Sequence, residues 1–327
     1  MMNFILPIVL AFGVTFILLL IMLNTPLGKS LLDLPNERSL HQHPVPRIGG
    51  LAIMLGIAGA WFAAKNTQAL LLLAVIAPLI AISVLDDFNG VAPLWRLLVQ
   101  LAVAALALAS IAQGAWPWGA YAGALIMLVW GANLYNFMDG SDGLAGGMAV
   151  FGFGGYALAA AFAGNVEFAA LTGAVVAAAL AFLVFNFNPA RVFMGDAGSV
   201  PLGFLAALLG VAGIQAELWP IWFPFLVFSP FVVDATVTLV KRARRGETLW
   251  QAHRDHYYQR LVRMGLGHRG TALVSYVAML ISTLTALLVR DAAPPTQWMA
   301  VSGIALAYAV GLVYVDRRWR EFEARAA

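Results

Sequence analysis

The segment Asn133-Leu-Tyr-Asn-Phe-Met-Asp-Gly-Ser-Asp-Gly-Leu-Ala-Gly-Gly147 joins two long apolar runs, and at the junction stand Asn136, Asp139 and Asp142. Carboxylates at the edge of hydrocarbon are costly unless they have partners or water. If the turn is helical, their spacing of three puts all three on one face, where they share a cation or a polar ligand. Other segments offer related chemistry. Asp86-Asp87 closes an apolar run, where two adjacent carboxylates are opposed by the helix dipole and by each other. Mg²⁺ suits such a pair, being a hard cation held by one or two carboxylates plus substrate phosphates; a solvated Asp-Asp-Phe-Asn-Gly turn is the alternative. Phe193-Met-Gly-Asp-Ala-Gly-Ser199 sets Asp196 between glycines, with Ser199 placed to cap a helix. Asn186 and Asn188 read as cap and turn residues.

Basic residues supply the complementary charge. Pro44-Val-Pro-Arg-Ile-Gly-Gly50 is stiffened by its prolines and allows close approach at its paired glycines. Arg38, His41 and Arg47 in that region suit phosphate. In the 241–270 stretch, His253 and His256 lie three apart among Arg254 and Arg260. Two histidines with carboxylates could ligate zinc, but arginine forks among them match diphosphate better.

These groups need elements to position them, and the composition says which. Of 327 residues, 62% are hydrophobic and 11% charged, against about 25% charged in a soluble domain. The chain reads as an all-α, polytopic integral membrane protein. Runs long enough to cross hydrocarbon fall at 3–23, 48–64, 69–85, 94–113, 119–138, 143–162, 168–187, 199–215, 219–240, 271–290 and 297–315, about eleven transmembrane helices. The first has neither a basic n-region nor a cleavage site and reads as a retained span. With eleven crossings, all nineteen Lys and Arg except Lys65 and Arg290 fall on one side. The positive-inside rule makes that side cytoplasmic, with the N-terminus periplasmic and the C-terminus cytoplasmic. Residues 1–327 form one membrane-embedded domain with a large cytoplasmic loop at 241–270. The absence of cysteine excludes disulfides, thiolate nucleophiles and Cys-ligated metal centres. The basic residues follow topology, which argues against nucleic acid as a partner.

Every polar cluster named above falls on the cytoplasmic side. A transporter or lipid flippase would carry charged groups or broken helices near the midplane, and a non-catalytic scaffold would not need so many costly carboxylates.

Taken together and in this order, the Pro-x-Pro-Arg-x-Gly-Gly entry, Asp86-Asp87, Asn133 to Gly143, Phe193 to Ser199 and His253 to Leu261 resemble the polyprenyl-phosphate N-acetylhexosamine-1-phosphate transferase family. The resemblance covers essentially the whole chain. It implies transfer of a HexNAc-1-phosphate from a UDP-sugar to undecaprenyl phosphate taken from the inner leaflet of the bacterial cytoplasmic membrane. The products would be undecaprenyl-diphospho-HexNAc and UMP. It further implies that Asp86, Asp87, Asp139, Asp196 and His256 are catalytic. Arg38, His41, Arg47, Asn136, Asp142, His253 and Arg254 would bind the substrates, and Mg²⁺, with Mn²⁺ able to substitute, would sit on Asp196, Asp87 and Asp139. The stretch His253-Arg-Asp-His256-Tyr-Tyr-Gln259 lacks the later histidines of the muramoyl-pentapeptide branch. That departure points to the O-antigen-initiating branch, with UDP-GlcNAc, UDP-GalNAc or UDP-N-acetylfucosamine as donor. Membrane lipids are expected partners, and a homodimer stays open.

Overall fold

The computed structural model describes residues 2–26, 28, 31–35, 40, 42–111, 116–248 and 253–326. Apolar runs become helices because a chain in hydrocarbon must satisfy every backbone N–H and C=O within itself. The helices are α1 (Met2–Leu23), α2 (Gly49–Ala63), α3 (Thr67–Asn89), α4 (Pro93–Ile111), α5 (Trp118–Phe137), α6 (Leu144–Phe162), α7 (Val166–Asn186) and α8 (Asp196–Gln215). There follow α9 (Trp222–Val227), α10 (Ser229–Arg244), α11 (Tyr257–Leu261), α12 (Gly267–Val289) and α13 (Pro294–Ala326). A π-helical turn, Val262–Leu266, links α11 to α12. The only β-structure among the described residues is a two-stranded antiparallel ribbon, β1 (Leu32–Asp33) against β2 (Val45–Pro46).

Helical residues fall within each of the predicted runs, and among the described residues the architecture is all-α apart from that ribbon. Among the described residues, eight helical stretches are long and apolar enough to cross a membrane. The 219–240 run is not one helix: it breaks at Phe228 into α9 and α10. Pro230 stands at the start of α10, and a proline has no N–H to continue the ladder from the turn before it.

Burial sorts the helices. In α8, 89% of the most apolar window is buried, whereas in α13 none of it is. The centre is therefore α8, ringed by α2, α3, α5 and α6, and α13 lies at the periphery. Small residues allow the close packing: a Cβ on Gly50 would overlap the backbone of Gly198, and the reverse holds. Without a hydrophobic force between helices in lipid, such backbone proximity and the dispersion contacts it permits hold the bundle together.

Candidate active site

The C-terminal ends of α3 and α5 and the N-terminal end of α8 meet at one end of the bundle. The contact is set by hydrogen bonds to backbone. Asp87, at the last turn of α3, accepts from Asp196 N at 3.0 Å and from Ala197 N at 2.8 Å. It thus caps the positive end of α8, where orphan N–H groups and the dipole favour an anion. Gly195, at φ +70, lets the chain pass: a Cβ there would lie 2.9 Å from Asp87 Oδ2. Asp87 is therefore held with both oxygens engaged.

Asp86 and Asp196 share one guanidinium. Arg96, in the first turn of α4, places Nη1 2.6 Å from Asp86 Oδ2 and 3.1 Å from Asp196 Oδ2. Asp86 also accepts from Val91 N at 2.5 Å. Arg96 is the only Lys or Arg between Lys65 and Arg191. The sequence reading used it for topology alone and missed it as a site residue; its isolation in an apolar region was the available signal.

The Pro-Arg-Ile-Gly-Gly segment is stitched onto the loop before α8. Phe193 N donates to Pro46 O at 2.8 Å, Gly49 N to Phe193 O at 2.9 Å and Gly50 N to Met194 O at 2.8 Å. Arg47 pairs with Asp33 at 2.5 Å across the β1–β2 ribbon and stands within electrostatic reach of Asp87, Asp196 and Asp139. The paired glycines thus serve a close backbone approach. Arg38 and His41 lie outside the described residues.

The shared face expected of Asn136, Asp139 and Asp142 does not form, which corrects the helical-spacing expectation. Helix α5 stops at Phe137, and Gly143 takes φ +75, so the junction is a tight turn and its three polar residues diverge. Asn136 Oδ1 accepts from Ser199 Oγ at 2.9 Å, tying α5 to α8. Asp142 is buried and accepts from Asn188 Nδ2 at 2.8 Å and Ala190 N at 3.1 Å, with His268 Nδ1 3.5 Å from its other oxygen. It clamps loops. Asn186, read as a cap and turn residue, accepts from Gly143 N and donates to Val192 O, each at 2.9 Å.

Asp139 stands within electrostatic reach of Asp196 and Asp87. No hydrogen bond to its carboxylate is found among the described residues. Burial first, then the negative charges of Asp196 and Asp87, push its carboxyl well above the usual carboxylate range, and Arg47 opposes the shift only in part. Like charges at close quarters make ionisation costly. A hard cation would relieve that cost, and the oxygen donors suit one. As they stand, no three His, Asp or Glu side chains among the described residues are grouped tightly enough to enclose a metal.

His256 lies on a different wall. It is buried, 3.2 Å through Nδ1 from Asp234 Oδ1, and stacks on Phe137 with ring centroids 6.1 Å apart. His253 packs against it at 4.9 Å, and Arg254 is half-buried with no ion-pair partner among the described residues. Tyr258 Oη donates to Phe137 O at 3.1 Å, which docks α11 on the turn carrying Asp139. Asp234, the only acidic residue between Glu217 and Glu247, was the second site residue missed. A lone carboxylate inside an apolar run is itself a signal.

Two cavities flank the cluster. A small one of about 70 Å³ is bounded by Ser83, Arg96, Gln100, Asn133, Asn136 and Asp196. A large apolar one of about 850 Å³ lies between α10, α12 and α13; Met138 of the 138–143 turn and Tyr258 of α11 line it, as do Arg318 and Arg325. Asp234 lines it, but Asp86, Asp87, Asp139 and Asp196 do not.

Comparison with known proteins bears on this site. Residues 69–214, which carry every carboxylate of the cluster, match the family described as glycosyl transferase family 4. The chain is 30% identical over 317 residues to a probable undecaprenyl-phosphate N-acetylglucosaminyl 1-phosphate transferase of Bacillus subtilis, covering 90% of this chain and 87% of that protein. It is 28% identical over 317 residues to the undecaprenyl-phosphate alpha-N-acetylglucosaminyl 1-phosphate transferase of Yersinia pestis, covering 89% and 85%. It is 30% identical over 295 residues to the decaprenyl-phosphate N-acetylglucosaminephosphotransferase of Mycobacterium tuberculosis, covering 74% and 72%.

Proposed function

The chain belongs to the polyprenyl-phosphate N-acetylhexosamine-1-phosphate transferases, within glycosyl transferase family 4, and from that premise we propose that it transfers GlcNAc-1-phosphate from UDP-GlcNAc to undecaprenyl phosphate. The observation that carries the reading is the meeting of Asp86, Asp87, Asp139 and Asp196 with Arg47 and Arg96 at one end of an apolar bundle. Among the three donors considered, GlcNAc is the sugar that the relatives' names share. The product would begin an O-antigen or related envelope polysaccharide.

In the reaction, a terminal oxygen of the acceptor phosphate attacks the β-phosphorus of the donor, the P–O–P bond breaks and UMP leaves. A phosphate monoester has a second pKa near 6, so the acceptor is largely dianionic at neutral pH and needs no strong base. Asp139 and Asp196, with Asp87 behind them, would hold Mg²⁺, which supplies charge neutralisation at the diphosphate when bound. Asp139 fits that role because its carboxylate has no hydrogen-bond partner among the described residues and its ionisation is opposed by its neighbours. Arg96 holds Asp86 and Asp196 in register. Arg47 and Arg254 face the phosphates, and His256 stands on the adjoining wall. The apolar cavity of about 850 Å³ between α10, α12 and α13 is the seat for the lipid tail. Eleven crossings, an outer N-terminus and an inner C-terminus put the cluster on the cytoplasmic side, where the soluble donor is found.

The test is UMP release by purified protein in detergent with undecaprenyl phosphate, Mg²⁺ and a panel of UDP-sugars, with Asp196→Ala beside it. Lipid-dependent release with UDP-GlcNAc that vanishes in the variant is expected. Release with another UDP-HexNAc alone would overturn the donor, and no release from folded protein with any donor would overturn the reaction.

A further inference from the structure

We propose that Asp234 is a positioning residue that fixes the tautomer and ring orientation of His256 and so presents its Nε2 to the substrates. The inference deepens the function proposed above, which already places His256 in the site.

Asp234 lies on α10, six residues after the break at Phe228, and is buried. Its carboxylate is fully employed. Oδ1 accepts from Tyr257 N at 2.9 Å and from Thr238 Oγ1 at 3.2 Å, Oδ2 accepts from Tyr258 N at 2.9 Å, and His256 Nδ1 lies 3.2 Å from Oδ1. Two backbone N–H groups and a hydroxyl all donating to one buried carboxylate describe its ionised, acceptor-only form. A ring nitrogen facing an ionised carboxylate must carry the proton. The Gln259 N–H also lies against the His256 side chain, as the other half of a capping box, but the ionised carboxylate is the stronger partner; Nδ1 is then N–H, and the neutral imidazole has its lone pair on Nε2.

The ring is also fixed in space. Phe137 stacks on it at 6.1 Å, Tyr258 at 5.8 Å and His253 at 4.9 Å. Its backbone N donates to Gln259 Oε1 at 3.2 Å, closing the first turn of α11. With Nδ1 spoken for and the ring clamped, Nε2 is the one polar atom of the side chain without a partner among the described residues. A carboxylate behind a histidine sets the tautomer and stabilises the imidazolium when Nε2 takes a proton. The stabilised imidazolium is a hydrogen-bond donor suited to a phosphate oxygen.

The arrangement also explains why a carboxylate sits in an otherwise apolar run. The break before α10 and the turn of α11 on the same carboxylate couple the peripheral helices to the 136–142 turn. Tyr258, held by its N–H on Asp234, passes that register on through its hydroxyl to Phe137 O at 3.1 Å.

The test uses full-length protein in micelles, labelled with ¹⁵N-histidine, and long-range ¹⁵N–¹H correlation at about pH 8, with the His256 signals assigned by their loss in His256→Asn. The wild type is expected to show Nδ1 protonated. A neutral ring protonated at Nε2 with a bare Nδ1 overturns the proposal with no reference to activity. A double-mutant cycle follows on UMP release. If Asp234 acts through His256, Asp234→Asn lowers kcat at least tenfold in the wild type and changes it less than twofold in the His256→Asn background. Equal fold-losses in both backgrounds, with melting temperatures matching the parents, would mean a general structural role and overturn it. Asp234→Glu should recover part of the kcat while keeping the Nδ1-protonated signature; recovery of kcat without that signature also counts against it. Loss of activity in every variant, wild type included, would refute the transferase reading and leave the tautomer result standing.

Discussion

Replacing Asp139 by Asn should make the protein more resistant to unfolding in chelator while removing its turnover. An unfolded aspartyl group titrates near 3.9; in the fold, burial and the charges of Asp196 and Asp87 hold Asp139 well above that. Below about pH 3.9 both states hold the proton and the site is not penalised. As pH rises through the window up to the folded value, only the folded state keeps its proton, so stability from this group is lost. The loss is about 1.4 kcal/mol for each pH unit of the window and is complete at any pH above it. Asn has the same shape and no charge, so at neutral pH it escapes the penalty. Divalent cation reverses the comparison. Bound to the ionised wild-type cluster at a hundred times its Kd, it would restore about 2.7 kcal/mol, and the Asn variant should show less of that rise. The assay is thermal unfolding in detergent, followed by tryptophan fluorescence, in EDTA and in Mg²⁺ from pH 5 to 8. The wild type should lose stability with rising pH in EDTA and recover it in Mg²⁺, with a shallower response in the variant, where Asp87 and Asp196 remain. An Asn variant that melts below the wild type in EDTA at pH 7.5 would refute the reasoning. It would mean that Asp139 is stabilised in the fold by something other than a proton or a cation.

Other perturbations should separate the holding of the site from its chemistry. Arg96→Ala removes the shared cation from Asp86 and Asp196, and should lower kcat/KM by about 100-fold, read by UMP release. Asp142→Ala leaves Asn188 Nδ2 and Ala190 N unpaired and should cost about 1–3 kcal/mol, seen as a lower melting temperature with unchanged Mg²⁺ concentration dependence. Gly198→Ala forces a Cβ against the Gly50 backbone; an overpacking cost of about 1–3 kcal/mol and a displaced Asp196 should appear together as lower melting temperature and lower turnover.

What the sequence made legible was whatever depends on local pattern. Helices follow from long apolar runs, and the pairing of Gly49 and Gly50 signalled a close approach without saying to what. The partner, Gly198, is nearly 150 residues on, and nothing local encodes that distance. Spacing misled at 136–142 because it presumed a helix that Gly140 and Gly143 do not continue. Arg96 and Asp234 were visible as isolated charges in apolar surroundings, but charge alone does not say which partner it meets. Arg96 meets two carboxylates 10 and 100 residues away; Asp234 meets a segment 22 to 24 residues away. Long-range polar partners are set by how helices pack, and the packing here turns on glycine contacts spread across the chain.

The electrostatics of the cluster bind these observations to the chemistry. Four carboxylates stand against two guanidiniums, and Arg47 is shared with a fifth carboxylate, Asp33. Such a site is net negative and would repel a diphosphate. Fixed arginines in greater number would cure the repulsion but would also bind the products tightly, since UMP and the lipid diphosphate are anions too. In the function proposed above, carboxylates awaiting a mobile cation would solve both problems: positive charge would arrive with the donor and leave with UMP. This would account for Asp139, which has no hydrogen-bond partner among the described residues and stands in surroundings that oppose its ionisation, while Asp87 and Asp142 are tied to backbone amides. A residue whose only task was architecture would have been given hydrogen bonds.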